Sequence, residues 1–188
     1  MQPNNQDLMI IESTKQWINR VVVGLNFCPF AQRVVDQQGI HYRVLAEPEF
    51  NQGLAALEET CSLLDTNPHL NTAMIILPEG FNDFQEYLFL VGTAESLLER
   101  DGRDANYQLA SFHPDYCFMD ADRDDAANFT NRSPFPMIHI LRTSAVEEAI
   151  DSHADTESIP QTNIDAARQL GSQHLQALLD ECRPGSAR

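Results

Sequence analysis

Helix-like and strand-like segments alternate along the 188 residues in the order α-β-α-β-α-β-loop-β-α-α. This order predicts an α/β (or α+β) fold: a single domain with a mixed, partly parallel sheet of about four strands flanked by helices. Two further observations support it. The apolar positions fall into two clean periods, steps of three and four for helices and short runs or alternation for strands. No composition shift or internal repeat marks a domain boundary.

Over Asp7–Leu25, residues Ile10, Trp17, Ile18, Val21 and Leu25 recur at helical spacing, which predicts the first helix. Proline suits the first turn of a helix, so Pro29 is expected to open a second one over Phe30–Gln38, with Cys28 at its cap. Ile40–Leu45 alternates like a half-buried strand. In Asn51–Asp65, residues Leu54, Leu57, Cys61 and Leu64 again form a helical stripe. Thr72–Leu77 is a continuous apolar run ended by Pro78, as in a strand covered on both faces. Asp83-Phe84-Gln85-Glu86 reads as a capped start, and the helix it opens, to about Arg100, is apolar nearly all round and is expected to be buried.

Asn106–Phe112 reads as a strand stopped by His113-Pro114, and Met137–Leu141 as the last strand. A short helix near Ala145–Ile150 and a polar loop follow. One long C-terminal helix is then expected, carrying Ile164, Ala167, Gly171, Leu175, Leu178 and Cys182 on one stripe. The whole chain, 1–188, is read as one domain, with flexible first residues and a flexible tail after about residue 183. Only His113–Pro136 shows neither period. A loop of 24 residues inside a compact domain is often functional.

Composition narrows the function classes. The chain holds 12 Lys and Arg against 28 Asp and Glu, a net charge of −16, which argues against nucleic acid as a partner. Lys15 is its only lysine and no Gly-Lys pair exists, so a Walker-type phosphate loop is excluded. No two glycines lie closer than ten residues apart, which removes GxGxxG and GxSxG as well. The four cysteines, Cys28, Cys61, Cys117 and Cys182, form no CxxC pair. The N-terminus lacks the basic and apolar regions of a signal peptide, and the apolar runs are too short to span a bilayer. The expectation is a cytoplasmic protein with free thiols and no membrane partner. No motif points to a particular cofactor.

Two segments hold the unusual polar residues. Cys61 and Cys182 sit on apolar stripes, but Cys28 lies in Asn26-Phe27-Cys28-Pro29-Phe30-Ala31, where a helix cap would favour a thiolate. His113 directly follows a strand and is a candidate acid–base partner for that thiol. Asn128, Asn131, Arg132 and Ser133, stiffened by Pro134 and Pro136, place amides, hydroxyls and a guanidinium together, as an anion clamp requires. His139 in the last strand shares a face with Met137 and Leu141, as a core histidine or as a further binding residue. Asp120-Ala121-Asp122-Arg123-Asp124-Asp125 begins like a calcium loop but lacks the glycine and the closing glutamate, so it reads as an acidic turn capping a short helix. His41, His69, His153 and His174 read as surface residues.

Three phrases are distinctive in combination: Leu25-Asn26-Phe27-Cys28-Pro29-Phe30-Ala31, Ser111-Phe112-His113-Pro114-Asp115-Tyr116 and Thr130-Asn131-Arg132-Ser133-Pro134-Phe135-Pro136. In them the chain resembles the bacterial and plant family designated domain of unknown function 1415, whose members have about this length. The resemblance covers nearly the whole chain and implies one compact cytoplasmic unit. It carries over no activity and no functional residue.

Three functional expectations follow. The first is a small enzyme acting on an anionic small molecule, with Cys28 and His113 catalytic and Asn128, Asn131, Arg132, Ser133 and His139 binding. The second is a metal-binding protein using His113, Cys117 and His139. The third is a non-catalytic module whose acidic surface binds a basic partner. The first requires Cys28 and Arg132 to line one pocket.

Overall fold

The computed structural model describes residues 3–152 and 155–185, so Met1, Gln2, His153, Ala154 and the tail at 186–188 lie outside the described residues. Asn4 caps α1 (Asn5–Trp17) through a reciprocal box with Asp7, in which each side chain accepts from the other's backbone N–H. The helix runs on into a π-helical segment, Ile18–Val23. Gly24 ends it where a Cβ would collide with the carbonyl oxygen of Arg20. The second helix, α2 (Ala31–Asp36), is shorter than expected, and Phe30 rather than Cys28 is its cap residue. The Ala31 amide donates to the Cys28 carbonyl at 3.1 Å, so a closed turn precedes the helix and holds Cys28 outside it.

Strand β1 (Ile40–Val44) leads through α3 (Phe50–Thr66) to β2 (Thr72–Ile76), and the two strands pair in parallel. Helix α4 (Phe84–Arg100) then connects to β3 (Tyr107–Phe112). The long loop contains a 3₁₀ turn, Ala126–Thr130, and returns as β4 (Met137–Arg142), antiparallel to both β2 and β3. The sheet is therefore open and mixed, in the order β1-β2-β4-β3. β4 passes directly into α5 (Thr143–Asp151). The expected single C-terminal helix is two: α6 (Ile159–Leu170) and α7 (Ser172–Glu181). Gly171, at φ +81°, breaks it. The periodicity survives the break because Ala167, Leu175, Leu179 and Cys182 all pack into one cluster.

Alternate residues of the central strands feed two cores. Ala73, Ile75, Ile138 and Ile140 meet Leu57, Leu64, Tyr87 and Leu90 of α3 and α4 on one face. Met74, Ile76 and Met137 meet Trp17, Ile18, Val21, Leu175 and Leu179 on the other. Each fully buried Leu or Ile stabilises the fold by about 1.5–3 kcal/mol. Helix α4 is not apolar-buried all round as expected. Its core stripe is Phe84, Tyr87, Leu90, Ala94 and Leu98, while Phe89 is 67% exposed and stacks on Phe50. Among the described residues no helix is long and apolar enough to cross a membrane.

Candidate functional site

At the end of the sheet where β3 stops and β4 starts, the long loop folds back and hydrogen-bonds to itself. His113 is fully buried between Phe84 and Tyr87, with ring centroids at 5.2 and 5.0 Å. Its Nδ1 accepts from the Asp115 amide at 2.9 Å, so its proton sits on Nε2, which donates to the Phe81 carbonyl at 3.0 Å. Both ring nitrogens are engaged, and burial pulls the pKa below the ordinary histidine range. Asn128, also fully buried, accepts from the Phe118 amide and donates to the carbonyls of Asp122 and Arg123. The Asn131 amide donates to the Ser111 carbonyl, and the Ser133 hydroxyl to the Phe135 carbonyl.

Arg132 stays in this network too. Nε donates to the Tyr116 carbonyl at 3.1 Å and Nη2 to the Arg123 carbonyl at 2.8 Å, with the guanidinium 4.5 Å from the Phe129 ring centre. Its own carbonyl accepts from the Trp17 indole, which ties the loop to α1. Asp125 caps the 3₁₀ turn and pairs with Arg168, which holds its carboxyl down at about 2. The acidic stretch is thus a helix-capping turn. The structure gathers His113, Asn128, Asn131, Arg132 and Ser133 into one loop, with most of their polar groups turned onto its backbone.

Cys28 lies in the turn between the π-helical segment and α2. Its amide donates to the Val22 carbonyl at the end of the π-helical segment, Asn26 sits at φ +57°, and Phe27 anchors the turn in the α1-side core. His113 packs with the α4-side aromatics Phe84 and Tyr87, while Phe27, beside Cys28, shares the α1-side core with Phe129 of the long loop. No hydrogen bond joins Cys28 to His113 or Arg132 among the described residues. Burial raises the Cys28 thiol's pKa, although the amides of Phe30 and Ala31 oppose it. His139 lies between Thr72, at 2.6 Å from Nε2, and Phe112, and burial lowers its pKa to about 4. Among the described residues no group of three His, Cys, Asp or Glu side chains is placed to hold a metal ion, and Cys117 faces the carbonyls of Phe118 and Ala121.

The cavity that holds unmet polar capacity lies at the opposite end of the sheet. It has a volume of about 240 Å³ and is lined by Asp65, Tyr107, Arg142, Thr143, Ser144 and Glu147, with Ala105 and Asn106 completing the wall. Because β4 runs straight into α5, the first amides of α5 open beside it. The Thr143 amide reaches the Asn106 carbonyl, and no side chain caps the helix. Thr143 Oγ1 is the one buried side-chain polar atom without a hydrogen-bond partner among the described residues. Arg142 donates from Nε to the Leu70 carbonyl and from Nη2 to those of Leu64 and Asn67, which caps the end of α3 and leaves Nη1 outside these bonds. Tyr107 donates to Asp65 at 2.5 Å, and burial with the adjacent carboxylate keeps the phenol protonated. Arg103 pairs with the same carboxylate at 3.2 Å.

None of these lining residues stands out as a motif. The available signal is the tripeptide Arg142-Thr143-Ser144 at a strand-to-helix junction, where helix amides and hydroxyls converge. A second, more open cleft of about 330 Å³ lies between β1 and α3, but its Arg43 is already paired with Glu59.

A family model described as a protein of unknown function (DUF1415) matches residues 9–177 of the chain. No curated protein and no solved structure matches it.

Proposed function

The chain belongs to the DUF1415 family of proteins of unknown function, and from its geometry we propose that it binds a small anionic molecule in the cavity between β4 and α5. The carrying observation is the Thr143 hydroxyl, buried and without a partner. An orphaned polar atom in a native interior costs about 1–3 kcal/mol, so it points to a group that completes it. One side of the lining favours a negatively charged group on the ligand: the uncapped α5 amides, the Ser144 hydroxyl and the Arg142 guanidinium, with Asp65 and Glu147 elsewhere on the wall. At about 240 Å³ the cavity lies below the roughly 300–1,000 Å³ of drug-sized sites, which suits a ligand of few heavy atoms.

In this reading Cys28 and His113 are framework residues rather than a catalytic pair, and Arg132 braces its own loop. Calorimetric titration of the purified protein with propionate tests the site. Saturable binding is expected, weakened about three- to tenfold in Thr143→Val, which keeps the side chain's shape and removes one hydrogen bond. Equal affinity in that variant, or no saturation by propionate, inorganic phosphate or a small amino acid, overturns the proposal.

A further inference from the structure

The cavity has two poles. Its α5 side offers Arg142, Thr143, Ser144 and the helix amides, while Asp65 and Glu147 stand on the same lining. Glu147 makes no ion pair among the described residues, whereas Asp65 is already shared between Arg103 and Tyr107. Arg103 neutralises Asp65 from outside the lining, so the lining charges left to face a ligand are Arg142 and Glu147, one of each sign, inside a chain of net charge −16. A neutral cavity with separated poles mismatches a multiply charged anion, because the carboxylate pole would repel it.

Resting on the anion-binding reading above, we infer that the ligand is a small zwitterion, an amino-acid-like molecule whose carboxylate meets Thr143 and the α5 amides while its ammonium meets Glu147. The carboxylate completes the orphaned Thr143 hydroxyl, and the ammonium gives Glu147 the partner it lacks. Glu147 lies one helical turn beyond Thr143 on α5, so one rigid element carries both poles. Selectivity then comes from opposition: a simple carboxylate meets the first pole and is repelled by the second.

The test compares matched probes on the whole protein: propionate, inorganic phosphate, glycine, β-alanine and 4-aminobutyrate, each titrated into the native chain and into Glu147→Gln. At least one amino acid is expected to bind more tightly than propionate. Glu147→Gln is expected to weaken that amino acid by about two- to fivefold, the range of one partly exposed ion pair, and to tighten propionate by removing a repulsion. Glu147 is exposed, so the substitution leaves the core intact, and an unchanged circular dichroism spectrum confirms it. Propionate binding with no amino acid tighter overturns the zwitterion inference and leaves the anion site standing. So does phosphate outbinding every amino acid. Failure of all five probes overturns both.

Discussion

At the Phe112–Met137 end of the sheet, the buried polar groups of His113, Asn128 and Ser133 all meet backbone partners within the loop or its neighbours. At the Tyr107–Arg142 end, a threonine hydroxyl is buried with none, beside a cavity and an open helix start. The first end is chemically richer and the second chemically hungrier. A loop of 24 residues without regular periodicity must satisfy its own backbone. Amides, a guanidinium and a histidine are the side chains able to do that. Their density at the first end therefore measures the cost of ordering a long loop, while the site is marked by valence left over.

The sharpest way to break this contrast is to remove a loop brace. Asn128→Ala takes the side-chain partner from the Phe118 amide and the Asp122 carbonyl and empties a fully buried position, while the Arg123 carbonyl keeps Arg132. It is expected to cost about 3 kcal/mol in urea unfolding, since each orphaned group costs about 1–3 kcal/mol and the two are not additive. A loss under 1 kcal/mol would mean the loop is not the rigid brace described.

Acid offers a second probe, at the histidines. His139 is a base whose folded pKa, about 4, lies below its ordinary value of 6.5. Between those values the unfolded chain holds a proton that the folded chain does not. Its contribution is therefore fully present above about pH 6.5 and is lost as pH falls towards 4, up to about 3 kcal/mol. His113 acts in the same direction. Unfolding free energies measured from pH 7 to pH 4 in the native protein and in His139→Gln isolate the term, because the carboxylates titrate in both. Parallel curves would show that His139 is not held neutral.

Much of the fold is legible because burial imposes a period. Thr72–Ile76 is buried throughout, and apolar from Ala73 on, because both cores claim it, and the Asp83 cap announces α4. Three features are not legible, each for a physical reason. Gly171 splits the last helix without disturbing its apolar stripe, since both halves face one core. The direction of β4 leaves no trace in its composition, so the sequence does not tell which sheet end would lie open. And whether a donor such as Arg132 Nε faces a ligand or the Tyr116 carbonyl is a matter of loop closure, not residue type. The expected Cys28–His113 pocket draws on unusual residues, whereas the cavity is built from Thr143, Ser144, Tyr107 and Glu147, whose types are commonplace.

A smaller effect sharpens the contrast from the cavity side. Thr143→Val removes an unpartnered hydroxyl, so the unliganded protein is expected to gain about 0.5–1 kcal/mol in urea unfolding while losing affinity for propionate. Stability and function then move in opposite directions at this end, where at the loop end only stability moves. A destabilised Thr143→Val would mean the hydroxyl has a partner in solution, and the cavity would then hold no leftover valence.

The least effect is expected at Cys28, and it decides whether the thiol belongs to either account. A nucleophilic cysteine needs a lowered pKa, from a helix cap or a cationic neighbour. Here the cap position belongs to Phe30, and burial raises the thiol's pKa against the pull of the Phe30 and Ala31 amides. The thiolate fraction at neutral pH is therefore below that of a free thiol, and iodoacetamide should modify Cys28 more slowly than free cysteine between pH 6 and 8. Cys28→Ser should leave propionate affinity where it was, because the turn is held by the Val22 carbonyl and by Phe27, neither of which involves sulfur. Faster labelling than free cysteine would restore this turn as a reactive centre on the α1 side of the sheet, and the molecule would then carry two sites instead of one.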